Sequence, residues 1–168
     1  MDRDKQGKVR KLVMVRTALE QELERVNEIR RQVNDLHVKG RPDHFKAGWN
    51  EELKEHVRAV WQDEYKDVLV AVRDGVICGF ACVDYIELPE SPYRYARKFY
   101  HVGEFGVDEA FYRQGVATEL VEFMKQDAKE KGFGRIELDV WEFNESARAF
   151  YEAAGFQCSR RYLELADF

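Results

Sequence analysis

Residues 112–117, YRQGVA, have the composition of an anion-binding helix start. The first N–H groups of a helix lack intrahelical acceptors, and the helix N-terminus carries about half a positive charge. Gly115 and Ala117 leave these groups accessible and Thr118 adds a hydroxyl, so a phosphate-bearing ligand would fit here. A tight turn between a strand and a helix also explains a glycine, and Gly115 taken alone favours that simpler interpretation.

Other motifs that could bind phosphate or metal are absent from the sequence. No G-x-x-x-x-G-K-[ST] string occurs, and the GFG at 132–134 ends a helical pattern instead of opening one, which excludes a P-loop and a dinucleotide fingerprint. Cys78, Cys82 and Cys158 are too few for a disulfide framework, and CGFAC lacks the second cysteine pair of a zinc site. We therefore expect free thiols and no metal.

The first half of the chain predicts one strand followed by two helices. Residues 11–18 form the strand, and Gly40 and Pro42 separate the helices. Apolar residues recur every three or four positions in each helix, which indicates one buried face. The first face comprises Leu19, Leu23, Val26, Ile29, Val33 and Leu36; the second comprises Leu53, Val57, Val60, Trp61 and Tyr65.

The middle of the chain predicts a hairpin and a further strand. Residues 67–88 contain two β-rich runs joined by Asp74-Gly75, the dipeptide of a type I′ turn. The strand at 99–107 contains Gly103 and Gly106, and glycines inside a strand indicate a bulge or the close approach of another molecule. Close packing against a neighbouring helix is the alternative explanation.

The helix that follows residues 112–115 is predicted to end at a left-handed Gly132. Residues 135–141 alternate as a strand, with Ile136, Leu138 and Val140 on one side. The short strand–helix–strand succession predicts a right-handed crossover between parallel strands.

A last helix is predicted to be capped by Asn144 or Ser146 and to end at Gly155. Residues 156–165, FQCSRRYLEL, then close the sheet as a final strand. The predicted order is therefore β α α β β β α β α β, without repeats or an internal linker.

Length and composition indicate a single domain covering residues 1–168, with a charged and flexible lead-in at 1–10. The net charge of −5 argues against nucleic-acid binding. The sequence lacks an apolar run of the ~18 residues that a membrane span needs and an N-terminal signal pattern. We expect a soluble cytoplasmic protein.

The stretch 105–156 resembles the acetyl-CoA core of the GCN5-related N-acetyltransferase (GNAT) superfamily. That core has a valine-ended strand, then [QR]-x-x-G-x-[GA] at the start of its central helix, then an Asn-led helix ending Y…GF. Here Val107, YRQGVA at 112–117 and NESARAFYEAAGF at 144–156 correspond. The resemblance implies a mixed α/β fold: a mostly antiparallel, twisted sheet of six to seven strands flanked by four helices.

The resemblance implies that acetyl-CoA is the cosubstrate. Backbone N–H groups at the central helix would bind its pyrophosphate, and the main chain of Phe105 and Val107 would pair with the pantetheine arm like an added strand. The first motif position holds Tyr112 instead of Gln or Arg; either Arg113 replaces that charge, or its side chain is merely solvated. The implied cofactor-binding residues are Phe105, Val107, Arg113, Gln114, Gly115, Val116, Ala117, Thr118, Asn144, Ala147 and Tyr151.

The resemblance also implies the catalytic residues. An alkyl amine, with a pKa of about 10, is almost entirely protonated at pH 7, so a general base is needed. Glu104 or His101 would serve, although many relatives have two adjacent carboxylates where this chain has Gly103 and Glu104. Tyr151 would protonate the departing thiolate. A solvent-facing Glu104, a packed His101 and a core Tyr151 are the structural alternatives.

The expected acetyl acceptor is a primary amine, on either a small molecule or a protein, attacking directly in a ternary complex. Acidic residues in the regions expected to form its pocket, 19–66 and 87–98, would suit a cationic acceptor, but a solvated acidic face explains them better. A homodimer is left open. The alternative function is an inactive acyl-CoA-binding sensor or interaction module of the same fold.

Overall fold

Five strands and four α-helices, with two short 3-10 helices, make up the part of the chain that the computed structural model describes, residues 12–166. The strands are β1 (Met14–Thr17), β2 (Lys66–Arg73), β3 (Val76–Leu88), β4 (Arg97–Val107) and β5 (Ile136–Leu138). The helices are α1 (Leu23–Gly40), α2 (Glu51–Gln62), α3 (Val116–Glu130) and α4 (Glu145–Ala153). Lys11 and the lead-in at 1–10 lie outside the described residues.

The five strands form one sheet in the order β1-β2-β3-β4-β5, counted over residues 12–166. The first four are antiparallel neighbours, and β5 runs parallel to β4. The β2–β3 turn has the two positive φ angles of a type I′ hairpin, 51° at Asp74 and 78° at Gly75. Both the hairpin and the parallel crossover are confirmed.

The helices cover both faces of this sheet. On one face, α1 and α2 bury Val26, Ile29 and Val57 against Phe80 and Cys82 of β3. On the other, the α3 residues Val121, Met124 and Ala128 pack with Tyr100 and Val102 of β4. The predicted apolar faces of α1 and α2 are confirmed except at their ends, because Leu19, Leu36 and Tyr65 are exposed.

The C-terminal half departs from the prediction at two strands. The strand expected at 135–141 is reduced to Ile136–Leu138, and residues 156–165 form no strand. The described chain therefore has five strands where six to seven were expected. Both departures have one physical reason: among the described residues, β5 has β4 as its one neighbour, and residues 156–165 have no adjacent strand with which to form a ladder.

Glycines end α3 and α4 as expected. Gly132 and Gly155 have φ angles of 77° and 95°, a conformation that glycine adopts without the strain of a Cβ atom. No helix within residues 12–166 has the length and apolarity needed to cross a membrane.

Candidate active site

The N-terminus of α3 presents backbone donors without a side-chain cap. Gly115 is the N-cap residue, with φ 84°, and no side chain accepts a hydrogen bond from the first turn. Within the described chain, the N–H groups of Val116, Ala117 and Thr118 have no acceptor. By contrast, Asn50 caps α2, accepting from the Leu53 N–H at 3.0 Å. The start of α3 is thus the kind of site that an anion can occupy.

Two arginines lie beside this helix start. Arg73, at the end of β2, donates to the Gln114 Oε1 atom at 2.6 Å, and Gln114 Nε2 donates to the Ala110 carbonyl at 3.0 Å. The side chain of Arg113 forms no hydrogen bond or ion pair with residues 12–166, and its backbone has a φ of 59°. Both guanidinium groups add positive potential to that of the helix dipole. The hairpin therefore brings to the site a charge that local sequence does not reveal.

The strand β4 has an open edge next to α3. Its pairing with β5 involves only Tyr100, His101 and Val102, after which β5 diverges. Asp108 N–H donates to the Cys78 carbonyl of β3 at 2.9 Å. Since the bonding direction alternates along a strand, the main chain of Phe105 and Val107 faces the open edge.

The two glycines of β4 have different structural roles. Cys82 pairs with Glu104 and Val83 with Val102, so Gly103 is the extra residue of a β-bulge. A Cβ atom on Gly106 would lie 2.7 Å from Val33 Cγ2 of α1. Gly103 is therefore the predicted bulge, whereas Gly106 permits close helix packing, the alternative explanation.

Glu104 lies at the centre of a polar network on the α1–α2 face of β4. Arg30 donates to both of its oxygens, from Nε to Oε2 at 2.7 Å and from Nη2 to Oε1 at 2.9 Å. His56 of α2 places Nε2 at 3.4 Å from Oε1. The Arg30 side chain is only 5% exposed, while that of Glu104 is 28% exposed. The Glu104 carboxylate is thus fixed by hydrogen bonds and only partly exposed to solvent.

Arg30 is itself fixed from several sides. Its Nη1 donates to Asn27 Oδ1 at 2.8 Å and to the Leu53 carbonyl, and its guanidinium lies 5.4 Å from the ring centroid of Trp49. Because these contacts fix the Arg30 guanidinium, its two hydrogen bonds also fix the orientation of the Glu104 carboxylate.

His101 lies on the same strand but has a different partner. Its Nδ1 atom is 3.1 Å from Asp84 Oδ2 on β3, and the ring makes an edge contact with Phe99. Glu104 and His101 are therefore held by separate networks, and the structure does not bring them together.

Tyr151 of α4 lies next to the open edge of β4. Its ring contacts that of Phe105 at a centroid distance of 6.0 Å and those of Phe150 and Phe156 at 5.5 Å. Burial raises the pKa of Tyr151 to about 12, so the hydroxyl keeps its proton at neutral pH. Among the described residues no group forms a hydrogen bond with this hydroxyl, which leaves it available as a donor.

Asn144 is the N-cap residue of α4, the helix that carries Tyr151. Its Oδ1 atom accepts from the Ala147 N–H at 3.2 Å, confirming the predicted cap. Within residues 12–166 its Nδ2 group has no acceptor. The side chain therefore caps the helix with one atom and keeps a donor free with the other.

The sequence comparison that decides the family is a match to the acetyltransferase (GNAT) family model over residues 30–156. That range includes α3, β4 and α4 and covers more than half of the chain. The chain belongs to the GNAT acetyltransferase family. GNAT acetyltransferases use acetyl-CoA.

Solved structures resemble this GNAT chain over nearly its whole length. A mutant of the BH1408 protein from Bacillus halodurans is 30% identical, with a TM-score of 0.87, over 92% of this chain and 99% of the other. A transcriptional regulator from Bacillus halodurans C-125 is 21% identical, with a TM-score of 0.73, over 93% and 100%. Aminoglycoside N-acetyltransferase AAC(6')-Iy in complex with CoA is 18% identical, with a TM-score of 0.71, over 94% and 95%. A search of curated proteins finds no match.

In this GNAT chain, the predicted site residues fall into two groups. Those assigned to the cofactor line the start of α3, the open edge of β4 and the start of α4. Glu104 lies on the opposite face of β4, in a network that sequence patterns did not predict. Arg30, His56 and Arg73 were missed, because their partners are distant in sequence.

An aromatic cluster extends the α1–α2 side of the site. The Trp141 ring lies 5.3 Å from Phe45 and 6.3 Å from Phe143, and Arg41 stacks on Trp141 at 5.2 Å. The cluster joins the loop after α1 to the segment after β5, and it also includes His37 and His44. Among residues 12–166, no group of three or more His, Cys, Asp or Glu could hold a metal ion.

Proposed function

We propose that this protein transfers an acetyl group from acetyl-CoA to a primary amine by direct attack in a ternary complex. The observation that carries the proposal is the uncapped N-terminus of α3 beside the open edge of β4. One element offers N–H donors for phosphates, and the other offers main-chain groups for an extended arm. Acetyl-CoA would supply the activated acetyl thioester.

The N–H groups from Gln114 to Thr118 would hold the pyrophosphate, with Arg73 and Arg113 adding charge. The residues fit an anion, because among the described residues no side chain or carbonyl occupies the first donors of α3. Arg113 would take over the charge that Gln or Arg has at the first motif position, where this chain has Tyr112. The main chain of Phe105 and Val107 and the Nδ2 group of Asn144 would bind the pantetheine arm.

The Glu104 network would remove the proton from the amine. Arg30 occupies one lone-pair direction on each carboxylate oxygen, so Glu104 has fewer positions left at which to take a proton directly. The carboxylate would orient the neighbouring His56, whose ring is more than half exposed and can exchange its proton with solvent. His101 remains a second candidate base, on the separate Asp84 network.

Tyr151 would donate its proton to the departing thiolate. The hydroxyl is protonated at neutral pH and lacks a partner within residues 12–166, and the ring lies against Phe105 on the strand expected to hold the thioester. Proton donation by a positioned side chain typically contributes about 10² to 10⁴ in rate.

The acceptor would be a small-molecule amine. Solved relatives of the same fold include an aminoglycoside N-acetyltransferase, and one of these structures holds a bisubstrate analogue, CoA-S-monomethyl-acetylneamine. In this chain, Trp49 packs against Arg30 of the Glu104 network, and the rings of Phe45 and Trp141 offer a further aromatic surface on which a cationic amine can stack. A protein amine is the competing acceptor, and a basic-peptide panel compared with a polyamine and aminoglycoside panel distinguishes the two.

A thiol-release assay with acetyl-CoA and these amine panels tests the proposal, with Gly115→Glu as the site variant. A carboxylate at Gly115 places negative charge against the phosphates and should abolish CoA binding and turnover. Gly132→Glu is the matched control: it adds the same side chain at a similar φ, 77° against 84°, at the other end of α3. Unchanged CoA affinity in Gly115→Glu would overturn the site assignment.

The same assay addresses the sensor alternative. A sensor would show an acetyl-CoA-dependent rise in melting temperature without thiol release for any amine. Release above background with one amine class, lost in Gly115→Glu and retained in Gly132→Glu, supports the enzyme.

A further inference from the structure

The loop that joins β4 to α3, residues 108–115, is fixed by side chains of α1. Arg25 donates through Nη2 to Asp108, the first residue of the loop, and through Nε to the Ile77 carbonyl of β3 at 3.2 Å. Its Nη1 group donates to Glu28 Oε2 at 2.5 Å. The Arg25 guanidinium therefore joins α1 both to the start of β3 and to the start of the loop.

Asp108 is the residue through which Arg25 contacts the loop. It is buried, at 7% exposed, and its Oδ1 atom accepts from the Ala110 N–H at 3.0 Å. Its own N–H donates to the Cys78 carbonyl of β3 at 2.9 Å. A buried carboxylate is costly unless it is paired and hydrogen-bonded, so the position of Asp108 depends on Arg25.

A second α1 side chain holds the next residue of the loop. Gln32 Oε1 accepts from the Glu109 N–H at 3.0 Å. Gln32 lies seven positions after Arg25, about two helical turns, so the two side chains lie on the same face of α1. One helix face thus holds two consecutive loop residues.

Hydrogen bonds within the loop connect these residues to the start of α3. The Ala110 carbonyl accepts from Gln114 Nε2 at 3.0 Å, and Gln114 directly precedes Gly115, the N-cap of α3. The conformation at Gly115 is local. The position of the α3 start relative to the edge of β4, however, depends on where the loop is held.

We propose that Arg25 and Gln32 are positioning residues for the cofactor, which hold the N–H groups of α3 at the separation from the β4 edge that CoA requires. A ligand that contacts both a helix start and a strand edge binds more tightly when their separation is preset, because less of the chain is ordered on binding. This inference rests on the proposed function, since it takes CoA as the ligand of α3.

Calorimetric titration of the full chain with CoA tests the role of Arg25 in Arg25→Gln and Asp108→Asn. The first substitution removes a positive charge near the anion site and the second removes a negative one. Electrostatic attraction alone would weaken CoA binding in the first and strengthen it in the second. Positioning predicts that both variants bind CoA about tenfold more weakly, and that the double variant is no weaker than either single variant.

Gln32→Leu tests the same role without a change of charge. It removes the acceptor of the Glu109 N–H and should weaken CoA binding about threefold. The loop should stay folded in these variants, because Phe111 packs against the cluster that contains Val116 and Leu120 of α3.

Arg16→Gln is the matched control for Arg25→Gln. The Arg16 side chain is 35% exposed, against 30% for Arg25, and its two hydrogen bonds to Glu22 lie outside the loop. This variant should leave the affinity for CoA unchanged. In steady-state kinetics, Arg25→Gln should raise the KM for acetyl-CoA and leave kcat near the wild-type value, because the lost contact affects binding and not the chemical step.

The outcomes separate this inference from the proposed function. If the wild-type chain binds CoA, tighter binding in Asp108→Asn, additive losses in the double variant, or unchanged affinity in Arg25→Gln and Gln32→Leu would overturn the positioning role alone. A wild-type chain that does not bind CoA would overturn the proposed function, and the positioning role with it.

Discussion

The two sides of β4 hold their functional groups in different ways. On the α3 side, the proposed binding groups belong to the main chain: within residues 12–166, three uncapped N–H groups after Gly115 and an open strand edge at Phe105 and Val107. On the α1–α2 side, the proposed groups are side chains: Arg30 and His56 contact Glu104 across the domain. Backbone recognition needs only a local conformation, whereas a side-chain network needs the complete tertiary fold.

This difference predicts different sensitivities. The α3 side should tolerate many side-chain changes and fail mainly when a substitution blocks or repels the ligand. The α1–α2 side should lose stability and activity together, because Arg30 is desolvated and depends on one carboxylate.

The largest expected effect is that of Glu104→Gln. It leaves the Arg30 guanidinium, 5% exposed, without its carboxylate, and should lower the free energy of unfolding by about 3 kcal/mol. Urea unfolding provides the measurement. The matched control is Glu22→Gln, which breaks a two-pronged pair with Arg16, whose side chain is 35% exposed, and should cost under about 1 kcal/mol. Equal costs would show that the Glu104 network is an ordinary surface pair.

Local patterns in the sequence were enough to predict the turn and cap conformations around α3 and α4 and most of the fold. Asp74-Gly75, Gly115, Gly132 and Asn144 act through backbone angles and caps within a few residues, so their neighbours determine their conformation. The ion pair between Arg30 and Glu104 joins residues 74 positions apart, and no periodicity signals it.

The missing final strand has a related cause. Residues 156–165 have strand composition, but strand formation requires a neighbouring edge in the correct place. The composition of a segment indicates that it can pair as a strand, but it does not determine which sheet edge the segment pairs with. That is why the segment's sequence predicts a strand while the single chain shows none.

The second largest effect should come from Tyr151→Phe, which tests the catalytic use of the α3 side. Turnover should fall about a hundredfold, with CoA affinity and stability nearly unchanged, because the hydroxyl has no partner to lose within residues 12–166. Because the pKa of about 12 keeps Tyr151 protonated, the ratio of the wild-type turnover rate to that of Tyr151→Phe should stay constant between about pH 7 and 9. Steady-state kinetics and CoA titration provide the data.

Tyr100→Phe is the matched control for Tyr151→Phe. Tyr100 is fully buried, and its hydroxyl donates to Asp127 Oδ2 at 3.0 Å. Removing it should cost about 1 kcal/mol of stability and leave turnover near the wild-type value. If both variants lost stability and neither lost turnover, Tyr151 would be a core residue only.

A smaller effect is expected from Arg73→Gln, which removes a charge beside α3. CoA affinity should fall about three- to tenfold at low salt, and the difference should shrink as salt rises, because the contribution is electrostatic and screened. Calorimetric titration at two ionic strengths measures it. Arg148→Gln, another partly exposed arginine, whose partner is Glu142, should have no effect on affinity. An Arg73 effect that does not vary with salt would indicate a lost structural contact with Gln114 instead.

The smallest expected effect distinguishes helix capping from ligand binding by comparing two capping asparagines, Asn144 and Asn50. Asn144→Ala and Asn50→Ala each remove a cap bond to a backbone N–H, at 3.2 Å and 3.0 Å, and each should cost about 1 kcal/mol of stability. Only Asn144→Ala should also weaken CoA binding, by a few-fold, because within residues 12–166 its Nδ2 group at the start of α4 is a donor without an acceptor. Equal CoA affinity in the two variants would make Asn144 a cap alone and confine ligand recognition on that side to main-chain groups. A loss of CoA affinity in Asn144→Ala alone would show that one side chain on the α3 side both caps a helix and binds the ligand.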